Sequence, residues 1–156
     1  METGYKVIDI MTNHPVTMKS DVTVKECAQA ILSESVGSVL VVENNEIKGI
    51  ITEKDIVTRL VAKGLDSKKT LLKDIMTPKS DMVFIEPNKD LYDAIIIMKD
   101  NGVRRLPVLD AGKIKGLLTL NDILKIEPDL FDIMVEKLDI REEERKFGAL
   151  NSDEDK

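Results

Sequence analysis

The sequence has no Trp, only 3% aromatic residues, one cysteine (Cys27) and one histidine (His14). A lone cysteine cannot form an internal disulfide and fits a reducing compartment. A lone histidine excludes any multi-histidine metal site and argues against Ser-His or Cys-His catalysis. No apolar run approaches the length needed to cross a bilayer, and the amino end does not read as a signal peptide. Acidic residues outnumber basic ones, 29 to 23, for a net charge of −6. A net anion gains no long-range attraction to a phosphate backbone, so nucleic acid is not an expected partner. What is present is 42% apolar residues, enough for a core that must be aliphatic. The expectation is a soluble, cytoplasmic α/β chain of 156 residues, with no catalytic residues, no metal ligands and no required cofactor.

The chain repeats itself. Gly49-Ile50-Ile51-Thr52-Glu53-Lys54-Asp55-Ile56 matches Gly116-Leu117-Leu118-Thr119-Leu120-Asn121-Asp122-Ile123 at an offset of 67. Upstream, Asp9-Ile10-Met11-Thr12 returns as Asp74-Ile75-Met76-Thr77 at an offset of 65. The two extra residues fit an insertion just after the Met-Thr pair. Such self-similarity marks tandem structural units.

Each copy reads as β-α-β-β-α. Short extended pieces at 16–18 and 83–85 precede amphipathic helices at 24–35 and 91–101. Thr23 with Glu26, and Asp90 with Asp93, supply capping patterns. Apolar runs at 39–42 and 47–51 flank Glu43-Asn44-Asn45-Glu46, and those at 106–109 and 114–118 flank Asp110-Ala111-Gly112-Lys113, which is hairpin chemistry. Helices at 53–63, stopped by Gly64, and 120–126 close the copies. The expected fold class is therefore α/β (α+β): two tandem repeats with sheets packed face to face about a pseudo-twofold axis. The boundaries fall at 7–64 and 72–127, with a linker at 65–71. Beyond Pro128, residues 128–147 form an amphipathic pattern, read either as packing on its own module or as a dimer or partner contact. Residues 148–156 make a polar tail.

Two patterns could carry chemistry. Thr52 with Asp55, and Thr119 with Asp122, fit a helix cap alone. They also fit a ligand site, because a carboxylate can accept both hydrogen bonds of a ribose diol while neighbouring N–H groups hold an oxyanion. The readings are compatible. Second, Arg104 and Arg105 are two of only five arginines among 23 basic residues, adjacent at the mouth of a core strand. Their planar forks suit phosphate oxygens; the alternative is one snorkelling side chain and one salt bridge. The first copy has Gly37-Ser38 at these positions, so the two clefts are not expected to be equivalent for phosphate. Cys27 reads as a small core residue and the methionines as core filling. His14 reads as a turn residue.

Taken together, the Ile-Met-Thr openings, Gly102-Val103-Arg104-Arg105-Leu106-Pro107-Val108 and both Gly-x-x-Thr-x-x-Asp closures resemble the tandem CBS-domain pair, or Bateman module. The resemblance covers roughly residues 7–125. It implies clefts that bind AMP, ADP, ATP or S-adenosylmethionine as regulatory ligands. By that resemblance Asp55 and Asp122 would contact ribose, with Thr52 and Thr119 beside ribose or phosphate. Thr12, Pro15, Val16, Thr77, Met82 and Val83 would line the adenine. Val36, Gly37 and Ser38, and Val103, Arg104 and Arg105 with Pro107, would complete the base and phosphate walls. It further implies a homodimer that signals to a regulated protein; the rival expectation is a constitutive dimerisation or scaffold module without a ligand.

Overall fold

The computed structural model describes residues 2–126, so the expected helix at 128–147 and tail at 148–156 lie outside the described residues. The order is α1 (Val7–Ile10), β1 (Thr17–Met18), α2 (Val24–Glu34), β2 (Ser38–Glu43), β3 (Glu46–Thr52) and α3 (Glu53–Asp55) in the first half. The second half runs α4 (Leu72–Ile75), β4 (Thr77–Pro78), α5 (Leu91–Asn101), β5 (Arg105–Asp110), β6 (Lys113–Thr119) and α6 (Leu120–Ile126). The chain is α+β, with the repeats recognisable element by element.

Local chemistry explains most boundaries. Thr23 and Glu26 form a reciprocal capping box at the start of α2: the Thr23 N–H donates to Glu26 Oε2 (3.1 Å) and the Glu26 N–H donates to Thr23 Oγ1 (3.3 Å). Asp90 caps α5 differently, accepting from the Tyr92 N–H at 2.8 Å rather than pairing with Asp93. Asn44 and Asn45 (φ 51° and 63°) turn the first hairpin, and Ala111 and Gly112 (φ 50° and 79°) turn the second. The closing helix of the first repeat departs from expectation. After α3 it widens into a π-helix, Ile56–Val61, and ends before Gly64 at φ 67°. The expected strand at 83–85 reduces to one parallel bridge, Ile85 to Val108. The two-residue insertion falls at a 3-10 turn, Lys79–Asp81.

Three clusters hold the molecule. Helices α2 and α4, the π-helix and the outer faces of β2 and β3 enclose Val24, Cys27, Ile31, Val39, Val41, Ile51, Leu60, Leu72 and Ile75. Helices α1, α5 and α6 cover β5 and β6 around Leu91, Ile95, Met98, Leu106, Val108, Leu118 and Ile123. Between the sheets lie Leu40, Ile47 and Leu117, with Val42, Ile50, Leu109 and Ile114 packed against them. The strands are thus covered on both faces, which is why they read as continuous apolar runs rather than alternating ones. A β-bulge keeps each hairpin in phase. Val41 pairs with Gly49 but Val42 with Ile47, leaving Lys48 as the extra residue; Lys115 plays the same part in the second hairpin. Without that extra residue Ile47 and Ile114 would turn away from the sheet–sheet interface.

The repeats exchange their amino-terminal segments. Val7 and Met11 of α1 pack in the second core, whereas Leu72 and Ile75 of α4 pack in the first. β4 pairs with β3 through Gly49–Pro78 and Ile50–Thr77, and Thr12 pairs with Leu117 through N–H···O bonds of 2.9 and 3.0 Å. The docking is tight. A Cβ on Gly49 would lie 2.6 Å from Met76 Sδ and 2.7 Å from the Thr77 carbonyl oxygen. One on Gly116 would lie 2.8 Å from Met11 Sδ and 2.5 Å from the Thr12 carbonyl oxygen. Ahead of α1, the Asp90 carboxylate also accepts from Thr3 and Gly4. Burial opposes its ionisation, but the donors from Thr3, Tyr92 and Gly4 outweigh that and hold its carboxyl below the ordinary value.

Two expectations follow. Gly49→Ala and Gly116→Ala each force a backbone carbonyl to move, so each should lower stability by about 1–3 kcal/mol, read as the urea midpoint; native-like midpoints would show that the exchanged docking does not hold in solution. Cys27 is fully buried, and burial pushes its thiol up to about 11. A thiol reagent at pH 8 should therefore label it slowly in the folded protein and rapidly in urea, measured by mass spectrometry.

Candidate functional site

Both Thr-x-x-Asp closures fold into the same structure. The Thr52 N–H donates to Asp55 Oδ2 at 2.9 Å and the Asp55 N–H donates to Thr52 Oγ1 at 3.2 Å. Thr119 and Asp122 repeat both bonds at the same distances. The caps are therefore real, and they engage one oxygen of each carboxylate. The second oxygen is treated differently in the two copies. Asp55 Oδ1 lies 3.7 Å from Arg59 Nε, and Arg59 Nη1 donates to the Ile75 carbonyl at 3.0 Å. At the corresponding place in the second copy stands Ile126, and Asp122 has no ion pair among the described residues. Arg59 escaped the sequence reading, although its i,i+4 spacing from Asp55 is an ion-pair signal.

Backbone bonds then bring the strand lead-ins against the closures. The Glu53 N–H donates to the Gly37 carbonyl at 3.1 Å, and the Leu120 N–H donates to the Arg104 carbonyl at 2.9 Å. Ser38 is in register with Thr52, and Arg105 with Thr119. Val36, Gly37 and Ser38 are thus grouped with Thr52 and Asp55, and Val103, Arg104 and Arg105 with Thr119 and Asp122. Ser38 is buried, Arg104 exposed and Arg105 half-buried. The Arg105 side chain crosses to the first repeat, where its guanidinium lies against Gly37.

The exchanged segments complete the picture. Thr77 reaches β3 two residues before Thr52, and Thr12 reaches β6 two residues before Thr119. From Thr12 the chain crosses back to the first repeat, where the Val16 carbonyl accepts from Leu40 N–H at 3.0 Å. Pro15 and Val16 are half-buried, and Val16 packs on the first core. Met82 packs against the sheet–sheet cluster and Val83 against the second core. Pro107 is buried within β5, opposite Leu117. A separate open concavity of about 420 Å³, lined by Phe84, Glu86, Leu109 and Asp110, sits at the β5–β6 hairpin and includes none of these residues. Among the described residues there is no cluster of His, Cys, Asp and Glu that could hold a metal ion, and no helix long and apolar enough to cross a membrane.

Known proteins resemble this chain. The chain is 34% identical over 138 residues to the uncharacterized protein MK0525 of Methanopyrus kandleri, covering 87% of this chain and 67% of that one. It is 33% identical to the CBS domain-containing protein YhcV of Bacillus subtilis, covering 75% and 81%. Among solved structures it resembles a protein with CBS domains from Burkholderia ambifaria, with a TM-score of 0.73 at 29% identity over 78% of this chain and 92% of that one. Protein MJ0100, whose CBS domain pair was solved with 5′-methylthioadenosine and S-adenosyl-L-methionine, shares the fold at a TM-score of 0.70 and 23% identity, covering 80% and 97%. The CBS domain family matches residues 7–62 and again 72–129, and with both repeats, both closures and the paired sheets in place, this chain belongs to the CBS-domain family as a tandem pair.

Proposed function

We propose that this CBS pair is a regulatory module, not an enzyme, whose clefts bind adenosine-derived ligands: AMP, ADP, ATP or S-adenosylmethionine. The carrying observation is the Asp122 carboxylate, half-buried, with one oxygen committed to its cap and, among the described residues, no cation on the other. That oxygen is suited to a ribose diol. The adenosyl ligands of MJ0100 support the same ligand class. Pro15, Val16, Met82 and Val83 lie on the crossing segments and are assigned to the base, and Thr52, Thr119 and Asp55 to ribose or phosphate. Occupancy signals to a regulated protein by favouring one of two arrangements of the repeats, which requires that the ligand bind them unequally.

The same reading assigns the module to the cytoplasm and to a homodimer. Leu32 of α2 and Val57 and Val61 of the π-helix are 81%, 59% and 65% exposed, an apolar surface that a second copy would cover. A sedimentation mass near 17.5 kDa at micromolar concentration would overturn the dimer.

Calorimetry tests the ligand. Losing a charge-assisted contact costs about 1.5–3 kcal/mol, roughly ten- to a hundredfold in affinity. Asp122→Ala should weaken AMP and adenosine alike, because both carry the diol. Arg105→Ala, with Arg104→Ala beside it, should weaken AMP far more than adenosine. If Asp55→Ala and Asp122→Ala change stability but no binding, the closures are caps alone and the scaffold reading holds.

A further inference from the structure

The two closures share their cap bonds and part company one turn later. Four residues after Asp55 stands Arg59, and four after Asp122 stands Ile126. The cap commits Asp55 Oδ2 to the Thr52 N–H, and Arg59 Nε lies 3.7 Å from the remaining oxygen, Oδ1. Nη1 of the same guanidinium donates to the carbonyl of Ile75, the last residue of α4, at 3.0 Å. That carbonyl is itself held in place, because Thr77, two residues on, is in register with Ile50 of β3. The arginine is thus held from two sides. An exposed ion pair is worth little by itself, largely because two long side chains must be ordered to form it. Here the Asp55 side chain is only 13% exposed, and the backbone bond to Ile75 has already ordered the arginine. A carboxylate oxygen facing a cation is a poorer target for a neutral hydroxyl, which must displace the cation or share the oxygen with it.

We propose that Arg59 is a specificity-determining residue. It competes with a sugar diol for Asp55 Oδ1, so a neutral nucleoside fills the Asp122 closure first and the Asp55 closure only weakly. The inference rests on the adenosine-binding reading and adds an order of filling and the residue that sets it. Ile126, the counterpart of Arg59, carries no charge and leaves the second oxygen of Asp122 to the ligand.

Calorimetry with adenosine and 2′-deoxyadenosine tests this, because the second ligand lacks one hydroxyl of the diol and neither carries a charge that could attract an arginine. In Asp122→Ala only the first closure keeps its carboxylate. Adding Arg59→Met there should raise the adenosine-to-2′-deoxyadenosine affinity ratio about fivefold. In Asp55→Ala the same change should leave the ratio as it was, which completes a double-mutant cycle. If Arg59→Met does not fold, the decision passes to Ile126→Arg in the Asp55→Ala background. Ile10, the counterpart of Ile75, packs on the same core as Ile123 and Leu124, so an arginine placed at 126 meets similar surroundings and should lower the ratio about fivefold. An unchanged ratio in the deciding variant, a rise that persists without Asp55, or an equal change for both ligands would each overturn the proposal and leave the adenosine reading in place. If neither the native chain nor the chain carrying Asp122→Ala with Arg59→Met binds either nucleoside, the adenosine reading fails and this inference falls with it.

Discussion

Everything in this molecule depends on two glycines that let another segment of chain lie directly on a strand. Gly49 and Gly116 accept Met76-Thr77 and Met11-Thr12 at distances where any side chain would collide. Because each Met-Thr segment belongs to the other repeat's sequence, the exchange ties the halves together through both backbone pairing and core packing. Neither half holds a complete core without the segment contributed by the other. Small cores are marginal alone, and the exchange removes that weakness by making one folding unit of two. The recurrent Met-Thr and Gly-x-x-Thr-x-x-Asp motifs are thus two sides of one contact.

The same exchange brings chain crossings up to the closures. A segment that starts on one sheet and ends on the other must cross the space between them, and 12–16 does so, as does the longer 77–85 with its 3-10 turn. The closures meet these segments near their sheet-bound ends. Pseudo-symmetry places the two carboxylates equivalently, and three substitutions break the equivalence: Arg59 against Ile126, Gly37 against Arg104 and Ser38 against Arg105. Electrostatically the result is lopsided. Asp55 is paired with Arg59, whereas among the described residues Asp122 has no ion pair.

Several features were legible in the residues because they are local. The repeat is visible as matching strings, the α2 capping box as Thr23 and Glu26, and the hairpins as Asn-Asn and Ala-Gly between apolar runs. The insertion after Met-Thr was legible as a change of offset, and it became the 3-10 turn at Lys79–Asp81. Other features were not. The bulges at Lys48 and Lys115 leave no mark in an apolar pattern, since the flanking residues remain apolar whichever face they take. The π-helix at Ile56–Val61 depends on how the helix is packed, not on a propensity its residues advertise.

The sequence by itself determined that two β-α-β-β-α units follow one another and that each closes with a capped acid. Those are properties of spacing and side-chain chemistry, and they operate within a few residues. Only the tertiary structure decided which unit each opening segment joins and which repeat the Arg105 side chain reaches. Adjacency in sequence puts Met11 with the first repeat and Arg105 with the second, yet Met11 packs in the second core and the Arg105 guanidinium rests in the first repeat. The physical reason is that both choices are made between surfaces far apart in sequence. A methionine finds the strand whose glycine leaves it room, and an arginine extends to wherever a missing side chain opens a place for its charge.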